Sequence, residues 1–280
     1  MSDDEGQSRR DQLPPEIDTS KPSIARVYDF MIGGTNNFAV DRQFGEMALR
    51  IAPDGKTAGI ASRRFLRRVV RYLTADAGIR QFLDLGSGLP TQGNVHEIAQ
   101  EIDPMARVVY VDNDPMVLAH GRQLLADNGT TTVIQADVRE PESIIDHPQV
   151  RHLIDFTEPV GLLLFSILHH FHDEEGPGSV AAAFREVLPS GSYMAIAHFF
   201  NPGDEHPDAS RQALVGEKVF NENLGTGRWR TREEILGYFG DMEFVEPGLV
   251  PLSEWRPDPG DLTELSLTLH TYAGAVARKP

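Results

Sequence analysis

The sequence contains no cysteine among its 280 residues. This absence excludes disulfide bonds, a cysteine nucleophile and metal sites built on thiolates, and it is compatible with any compartment. Long apolar runs are missing too, because no stretch approaches the roughly 20 residues that a helix needs to cross a bilayer. Residues Met1–Pro15 are polar and acidic, without the apolar core of a signal peptide. We therefore expect a cytoplasmic protein with no membrane partner.

Positive charge is also scarce. The chain has 26 Lys and Arg residues against 42 Asp and Glu residues, which gives a formal net charge of −16. A field of this sign repels phosphate backbones, and we expect no nucleic-acid partner. The candidate basic patch lies along one side of a predicted helix and consists of Arg63, Arg64, Arg67, Arg68 and Arg71. No aromatic residues interleave the arginines on that face of the helix, and we interpret it as a solvated helix face.

The chain does contain an ordered succession of structural signals. Residues 1–22 are polar and have little to bury, which predicts disorder. Residues 23–80 show helical periodicity interrupted by a glycine-rich loop, and we predict a helical cap or lid there. From residue 81 onward, predicted strands alternate with predicted helices; the strands are Gln81–Leu85, Arg107–Val111, Thr132–Gln135, Gly161–Ser166 and Tyr193–His198. This alternation predicts a parallel sheet with right-handed crossovers.

The last third of the chain departs from strict alternation. A helical insertion is predicted at about 203–240. Two apolar runs follow, Phe244–Val250 and Leu265–Ala277, and no helix is predicted between them. We interpret them as an antiparallel pair that closes the edge of the sheet. The predicted fold class is α/β: a doubly wound, Rossmann-like domain over 81–280, mostly parallel, with an antiparallel C-terminal edge strand and an N-terminal helical extension.

A glycine loop follows the first predicted strand and reads Asp84-Leu-Gly86-Ser87-Gly88. Glycines at a strand-to-helix turn let the backbone approach a ligand closely. A nicotinamide or flavin site normally reads G-x-G-x-x-G, but the sixth position here is Thr91, so that the pattern fails. The acid two residues before the first glycine suits a ligand with an ammonium group better than a pyrophosphate.

Acidic residues also follow the second predicted strand, in the sequence Asp112-Asn113-Asp114. An acid at this position can accept both hydroxyls of an adenosine ribose, which is the general doubly wound arrangement. Asp114 directly precedes Pro115 and is predicted to cap the helix that begins there. Asp112 is then left for the ribose.

The third predicted strand ends in Ala136-Asp137-Val138. A carboxylate at this place can accept a hydrogen bond from the exocyclic amine of adenine, while Ala136 or Val138 lines the ring. Taken alone, Asp137 is equally well explained as an acid of a loop. Three acids at three successive strand ends, in register with a glycine loop, favour a nucleoside ligand with an ammonium group.

This combination of motifs resembles the class I S-adenosylmethionine methyltransferases. The segment Pro22–Arg42, which reads PSIARVYDFMIGGTNNFAVDR, resembles the opening of a bacterial family called S-adenosyl methyltransferase. The likeness extends from about Pro22 to Ala277. It implies a Rossmann-like methyltransferase sheet, S-adenosyl-L-methionine as cofactor and methyl transfer as the activity, but it names no acceptor.

The resemblance also implies which residues hold the cofactor. Gly86 and Gly88 would face its methionine part, with Asp84 near the ammonium. Asp112 would hold the ribose, and Asp137 with Val138 the adenine. The full predicted set is Asp84, Gly86, Ser87, Gly88, Asp112, Asn113, Ala136, Asp137, Val138, Phe165 and Ser166.

Histidines follow the fourth predicted strand, where a methyl donor and its acceptor should meet. We predict His169 as the catalytic residue: it either positions the loop or the acceptor, or serves as a general base, since imidazole titrates near neutrality. A metal site is not expected, because no carboxylate completes an obvious ligand spacing. The strand ends in Phe165-Ser-Ile-Leu168 rather than Asn-Pro-Pro-Tyr, which argues against amino-group methylation of bases or glutamine.

Two further groups of residues are predicted to border the ligands. The N-terminal segment would form a lid over cofactor or substrate, with an aromatic ring to contact the cationic sulfonium; its predicted residues are Tyr28, Gly33, Gly34 and Asn37. The predicted acceptor pocket consists of His170, His198 and Trp255. Packing in the core is the alternative for each of these side chains.

The sequence thus predicts an S-adenosylmethionine-dependent methyltransferase that acts on a small-molecule acceptor. Two alternatives stay open at this point. One is a non-catalytic module that binds the same cofactor, because the acceptor side carries no diagnostic motif. The other is a nicotinamide-dependent oxidoreductase, against which the missing third glycine and the long N-terminal extension count. The sequence does not indicate an oligomeric state.

Overall fold

The structure is a computed structural model that describes residues 17–90, 93–125, 128–261 and 266–280. Within the described residues, three helices precede the first strand: α1 (Ile24–Met31), α2 (Ala39–Ile51) and α3 (Gly55–Ala75). In the ranges that the structure describes, no helix combines the length and apolar composition needed to cross a membrane.

The segment predicted to be disordered, 1–22, lies outside these ranges up to residue 16. Residues 17–22 form neither helix nor strand, but they are tied to α1. Arg26 donates hydrogen bonds to the carbonyl oxygens of Asp18 and Lys21, at 3.2 and 2.6 Å. This end of the segment is therefore part of the folded domain.

Five strands follow: β1 (Gln81–Leu85), β2 (Arg107–Asp112), β3 (Thr131–Gln135), β4 (Gly161–Phe165) and β5 (Tyr193–Phe199). The helices between them are α4 (Val95–Ile102), α5 (Pro115–Leu124), α6 (Pro141–Ile145), α7 (Pro148–Leu153) and α8 (Pro177–Val187). Each helix from α5 to α8 begins with proline, whose missing N–H costs nothing in the first turn. The strand bounds agree with the sequence prediction to within one residue at each end.

The sheet has the order β3-β2-β1-β4-β5-β8-β6, where β6 (Glu243–Phe244) and β8 (Tyr272–Arg278) belong to the C-terminal part of the chain. Strands β1 to β5 are parallel, and Leu83 lies opposite Val109 on one side and Leu162 on the other. The first strand, β1, lies in the middle of the sheet. The chain then moves outward through β2 to β3 and returns to place β4 on the other side of β1. Such α/β sheets bind ligands at this reversal, outside the carboxyl ends of the strands.

The C-terminal elements are α9 (Pro207–Leu224), α10 (Arg232–Gly237), β6 (Glu243–Phe244), β7 (Val250–Pro251), α11 (Leu267–His270) and β8 (Tyr272–Arg278). β8 runs antiparallel to β5, and β6 and β7 pair antiparallel with β8. The antiparallel closure predicted from the sequence is therefore confirmed. The final strand itself lies inside the sheet, next to the edge formed by β6 and β7.

Two details of this closure differ from the prediction. The run Phe244–Val250 is not a single strand, because Pro247 has no N–H to donate and Gly248 adopts a φ of +83°. The predicted strand Leu265–Ala277 begins only at Tyr272. Its first residue, Leu265, lies outside the described residues, and Ser266 caps α11 instead, with its hydroxyl accepting from the backbone N–H of Leu269.

Apolar side chains cover both faces of the sheet, because neighbouring residues of a strand point to opposite sides. Phe82 belongs to the cluster on one face, and Leu83 to the cluster on the other. On the first face, Phe65, Val69 and Leu73 of α3 are fully buried. Each such side chain contributes about 1.5–3 kcal/mol. The last helix of the predicted 23–80 cap is thus part of the domain core.

The sequence predicted a solvated arginine face on α3, but one arginine of this face is buried. Arg68 is 4% exposed and donates hydrogen bonds to the carbonyls of Trp255 and Leu252, at 2.8 and 2.6 Å. Its third contact is an ion pair of 2.7 Å with Asp261. These partners lie almost 200 residues further along the chain, at separations of 184 to 193, and periodicity within one helix cannot reveal them.

Candidate active site

A cavity of about 710 Å³ opens at the carboxyl ends of the strands, where the strand order reverses. The helices α1, α2, α3 and α9 contribute to its wall, for example through Tyr28, Ala48, Gly59 and Phe220. Its volume lies within the range of about 300–1,000 Å³ that is usual for small-molecule sites. The cavity places most of the predicted site residues around one space.

The glycine loop after β1 forms one part of the wall. The N–H groups of Gly86 and Ser87 both donate to the carbonyl of Val111, at 2.8 and 3.1 Å, which fixes the loop against β2. Gly86 has a φ of +71°, and a Cβ built on it would lie 2.7 Å from Ile167 Cγ1. Gly88, with a φ of +67°, also needs the left-handed region. Glycine is therefore required at Gly86 and Gly88 if the loop is to lie close both to the residues after β4 and to a ligand.

Asp84 is a buried carboxylate at the base of this loop, 6% exposed and bordering the cavity. Within the described part of the chain, no hydrogen bond or ion pair satisfies its side chain. Burial raises the pKa of Asp84 to about 7, although the positive charge of Arg63 acts in the opposite direction. An isolated buried carboxylate is costly, and a cationic ligand group would offset this cost.

Asp112, at the end of β2, connects two loops. One carboxylate oxygen accepts from the Gly88 N–H at 2.8 Å, and the other accepts from the Asp114 N–H at 2.9 Å. Burial raises the pKa of Asp112 to about 6, against the effect of these backbone donors. Each oxygen keeps a lone pair for a further donor.

Asp114 caps α5 as predicted, since its Oδ1 accepts from the Met116 N–H at 2.8 Å. Its second oxygen, Oδ2, accepts from the Ser23 hydroxyl at 2.6 Å. The second bond joins the N-terminal segment to the loop that follows β2.

The residues that follow β2 and β3 complete this side of the cavity: Asn113, Ala136, Asp137 and Val138 all border it. Val138 is buried and offers an apolar surface. The Asp137 carboxylate accepts from the backbone N–H and the guanidinium of Arg139, at 2.9 and 3.2 Å. Arg139 in turn donates to Glu175 at 2.6 Å. Asp137 is thus less available to a ligand than Asp84.

The end of β4 carries the predicted residues Phe165 and Ser166, and both line the cavity. Ser166 has a φ of +59°, and its hydroxyl forms a hydrogen bond with the hydroxyl of Tyr272. A non-glycine residue in this region costs on the order of 1–3 kcal/mol, and such strain is concentrated at functional sites. Burial raises the pKa of Tyr272, which keeps the phenol neutral. The sequence analysis missed Tyr272, although its position opposite Phe199 at the end of β5 places it at this edge.

His169 lines the cavity but is poorly suited to act as a base. Its Nδ1 accepts a hydrogen bond from the Phe199 N–H at 3.1 Å, so that the proton of the neutral ring is on Nε2. Burial, with smaller contributions from His170, His198 and Arg230, holds the pKa of His169 well below its usual value. The ring is therefore a neutral hydrogen-bond donor at Nε2.

The other two predicted histidines differ in position. His170 lines the cavity, whereas His198 does not border it and is fully buried beside Tyr238. Burial lowers the pKa of both rings to about 3, so that they are neutral at pH 7. His198 donates from Nδ1 to the carbonyl of Phe199 at 2.6 Å. It supports the end of β5, and its predicted place in an acceptor pocket is not what the structure shows.

The four predicted lid residues also differ in whether they line the cavity. Tyr28 lines the cavity, but Gly33, Gly34 and Asn37 do not. These three belong to a loop organised around the buried Asp29, whose Oδ2 accepts from Asn37 Nδ2 at 2.8 Å. A Cβ on Gly34 would lie 2.0 Å from Asp29 Oδ1, which explains the glycine by packing against α1. Contact with a ligand is not its reason.

Trp255 also lies away from the cavity. It is fully buried between Phe65 and Tyr72, with ring centroids 5.6 and 5.9 Å away. The aromatic wall of the cavity is instead made by Phe199, Phe220, Trp229 and Tyr272, which we call the aromatic end. Phe199 and Phe220 were not predicted. Phe199 lies on β5 and Phe220 on α9, and these two elements meet only in the folded chain. The opposite part, with Asp84, Gly86, Gly88 and Asp112, is called the acid–glycine end.

Comparison with known proteins identifies the family. A family model described as S-adenosyl methyltransferase matches residues 10–280. The chain belongs to this S-adenosyl methyltransferase family. The resemblance inferred from the segment Pro22–Arg42 and from the strand-end acids is thereby confirmed, as is S-adenosylmethionine as the cofactor of this methyltransferase. No curated protein matches the chain.

Solved structures agree with this assignment. The methyltransferase is 46% identical to a proposed methyltransferase from Thermobifida fusca YX, with a TM-score of 0.89 over 96% of this chain and 98% of the other. It is 38% identical to a DUF574 family protein from Streptomyces avermitilis MA-4680, with a TM-score of 0.88 over 94% and 99% of the two chains. An O-methyltransferase family protein from Burkholderia thailandensis shares the fold, with 16% identity, a TM-score of 0.51 and coverage of 82% and 61%.

The acid–glycine end fits the cofactor of the family. Asp84 is a buried carboxylate in need of a cation, and S-adenosylmethionine carries an ammonium group and a sulfonium. A Cβ on Gly86 would collide with Ile167, whereas no atom of the described part of the chain lies within 4 Å of the Cβ position of Gly88, so that a ligand can approach the loop there. Among the described residues, no group of three or more His, Cys, Asp or Glu side chains is arranged to hold a metal ion.

Proposed function

We propose that this methyltransferase transfers a methyl group to a small-molecule acceptor bound at the aromatic end of the cavity. The observation that carries the proposal is the continuity of the space. One cavity of about 710 Å³ runs from the acid–glycine end to the aromatic end, so that two small ligands can meet inside it. The cavity leaves room for a ring or chain next to the cofactor, whereas a macromolecule would have to insert a flexible end.

The order of the strands supports the roles assigned to the cofactor-binding residues. β3, β2, β1, β4 and β5 follow one another along the sheet, spaced by about 4.8 Å per strand. Adenine would lie near Ala136, Asp137 and Val138 after β3. The ribose hydroxyls would donate to Asp112 after β2, beside Asn113. The ammonium would pair with Asp84 after β1, with the glycine loop along the methionine part.

The chemistry needs alignment more than proton transfer. S-adenosylmethionine supplies an electrophilic methyl carbon on its sulfonium. The residues of this chain would hold cofactor and acceptor in line and exclude water, which is the main source of rate in such a reaction. Ser166, which is hydrogen-bonded to Tyr272 of the aromatic end, and Tyr28 of α1 also line the cavity. Family membership favours this reaction over hydride transfer with a nicotinamide.

The proposal is tested by following the label from methyl-labelled S-adenosylmethionine. A cell lysate is separated into small molecules, proteins and nucleic acids, and each fraction is incubated with the enzyme. Label should enter the small-molecule fraction, with stoichiometric release of S-adenosylhomocysteine. Label in proteins or nucleic acids alone would contradict the proposed acceptor. Tight cofactor binding without transfer to any fraction would indicate a binding module.

A further inference from the structure

The aromatic end of the cavity carries no charged side chain among the residues that the structure describes. Every lining residue after Phe171 is uncharged, which includes Gln212, Phe220, Trp229, Thr268 and Tyr272. The charged lining residues are in the N-terminal segment, in α3 or at the ends of β1, β2 and β3. A charged acceptor would leave water without gaining an ion pair, and that is costly.

Stacked rings give this end a rigid wall. The imidazole of His169 stacks on Phe199 at 3.6 Å between centroids, with an interplanar angle of 5°. Phe199 stacks in turn on Trp229 at 4.1 Å and 13°. Phe220 meets Phe199 and Trp229 edge-on, at 5.6 and 5.3 Å. Such a wall offers ring faces and edges to a planar ligand.

A hydrogen-bond donor is fixed within the same wall. The Phe199 N–H occupies Nδ1 of His169 and thereby sets the tautomer with a proton on Nε2. Stacking on Phe199 holds the ring plane in place. The ring is a poor base because burial lowers its pKa well below the usual value. A ligand that meets His169 is thus offered an N–H and no charge.

We infer that the acceptor is an uncharged, ring-bearing small molecule with an oxygen that accepts a hydrogen bond from Nε2 of His169. The inference rests on the proposed function and names the class of acceptor for that site. His169 is then a specificity-determining residue: it positions the acceptor and does not remove a proton. Phe220 supplies apolar contact at the far side of the ring.

The class of acceptor is tested by isothermal titration of three matched probes into protein saturated with S-adenosylhomocysteine. The probes are 2-naphthol, 2-naphthoate and (2-naphthyl)methylammonium, which share the ring and differ in charge. We expect 2-naphthol to bind about ten-fold or more tightly than either charged probe. Equal binding, tighter binding of a charged probe, or no binding of any probe would overturn the inference. Failure of S-adenosylhomocysteine itself to bind would instead contradict the proposed function.

The role of His169 is tested with two substitutions. His169→Gln keeps an N–H at a comparable reach, whereas His169→Leu keeps only apolar volume. We expect His169→Gln to hold 2-naphthol within about three-fold of the unmodified protein and His169→Leu to lose about ten-fold, with S-adenosylhomocysteine affinity unchanged in both. The exposed His152→Leu on α7 is the matched control.

Equal losses in His169→Gln and His169→Leu, in protein with an unaltered melting temperature, would overturn the donor role. If His169→Leu does not fold, Phe220→Ala replaces it as the test of the aromatic wall. We expect Phe220→Ala to weaken 2-naphthol binding by about ten-fold, because a buried ring contact is lost. Phe244→Ala, at the half-exposed β6 edge, is its control. Unchanged 2-naphthol affinity in Phe220→Ala would overturn the inference.

Discussion

At the scale of single residues, the proposed cofactor site is characterised by the buried carboxylate of Asp84 and the partly buried carboxylate of Asp112. Among the described residues no group donates a hydrogen bond to Asp84, although the positive charge of Arg63 acts on it, and Asp112 accepts only from backbone N–H groups. Burial raises the pKa of these acids to about 7 and about 6. Burial therefore makes both acids easier to protonate than in water, whereas a ligand ammonium favours their ionised forms. Binding should then release protons.

The first prediction concerns pH. Asp84 is mostly protonated in the free protein at about pH 5.5 and mostly ionised at about pH 7.5, so that affinity for S-adenosylhomocysteine should rise about ten-fold or more over this interval. Titration calorimetry in buffers of different ionisation enthalpy measures both the affinity and the protons released. Asp84→Asn should bind more weakly and with a flatter pH profile. An affinity of the unmodified protein that does not change with pH would contradict the role of Asp84.

The second prediction concerns Asp112. The substitution Asp112→Ala removes the hydrogen-bond acceptor for the ribose hydroxyls and for the Gly88 N–H. It should weaken S-adenosylhomocysteine binding by about 1–3 kcal/mol. Asp146→Ala, an acid on the surface after α6, is the control and should bind as the unmodified protein does. Unchanged affinity in Asp112→Ala would remove Asp112 from the ribose site.

The positions of these acids were predictable, because the ends of parallel strands meet at one edge of the sheet. The tautomer of the His169 ring could not be predicted from the sequence. Its role follows from the Phe199 N–H, which reaches Nδ1 only after β5 is placed beside β4. The position of Trp255 could not be predicted either. A tryptophan in a loop can pack in the core or line a cavity, and the local sequence does not distinguish the two.

At the scale of secondary-structure elements, α1 lines the cavity and is linked to the loop that follows β2. The Ser23 hydroxyl donates to Asp114, and the Ser23 N–H donates to Asp41 at 3.0 Å. Asp41 also forms a buried ion pair of 2.9 Å with Arg26. A segment that lines the site and is held by a few polar contacts is expected to open when the cofactor enters or leaves.

The third prediction tests this closure. Ser23→Ala removes the bond to Asp114 and should speed the release of S-adenosylhomocysteine about five-fold, the equivalent of roughly 1 kcal/mol. Stopped-flow displacement measures this rate. Ser20→Ala, an exposed residue nearby, is the control. Identical release rates in the two variants would show that the Ser23 contact does not hold the lid.

The fourth prediction concerns the attachment of α3 to the C-terminal segment. Arg68→Ala leaves the carbonyls of Leu252 and Trp255 and the carboxylate of Asp261 without their donor, and should lower the free energy of unfolding by about 3–5 kcal/mol. Arg67→Ala, exposed on the same helix, should change it by no more than about 0.5 kcal/mol. Denaturant unfolding compares the two variants. Equal stabilities would contradict the anchoring role of Arg68.

At the scale of the whole molecule, the sheet could be predicted because local patterns and topology agree. Short apolar runs separated by helical periods leave few arrangements other than a parallel sheet with right-handed crossovers. The C-terminal closure was predicted only in outline. Whether residues 267–270 form a helix or extend a strand depends on the Ser266 cap and on packing against α9, and the apolar pattern alone does not separate the two.

The cavity combines parts that are far apart in the sequence. Tyr28, Asp84, Asp112, Phe220 and Tyr272 all border it. The acid–glycine end could be inferred because it consists of strand ends in a known order. The aromatic end could not, because α9 and Trp229 come from the insertion, whose place above the sheet is fixed by tertiary contacts. In the proposed reaction, specificity for the acceptor would therefore be set by the least predictable part of the fold.

A crystal structure of the protein with S-adenosylhomocysteine tests this account most directly. The account predicts the ligand ammonium within hydrogen-bonding distance of the Asp84 carboxylate and the ribose hydroxyls on Asp112. The sulfur should face Ser166 and Tyr272, towards the aromatic end of the cavity. A ligand whose ribose or ammonium lies away from these two acids, or a ligand bound outside the cavity, would contradict it.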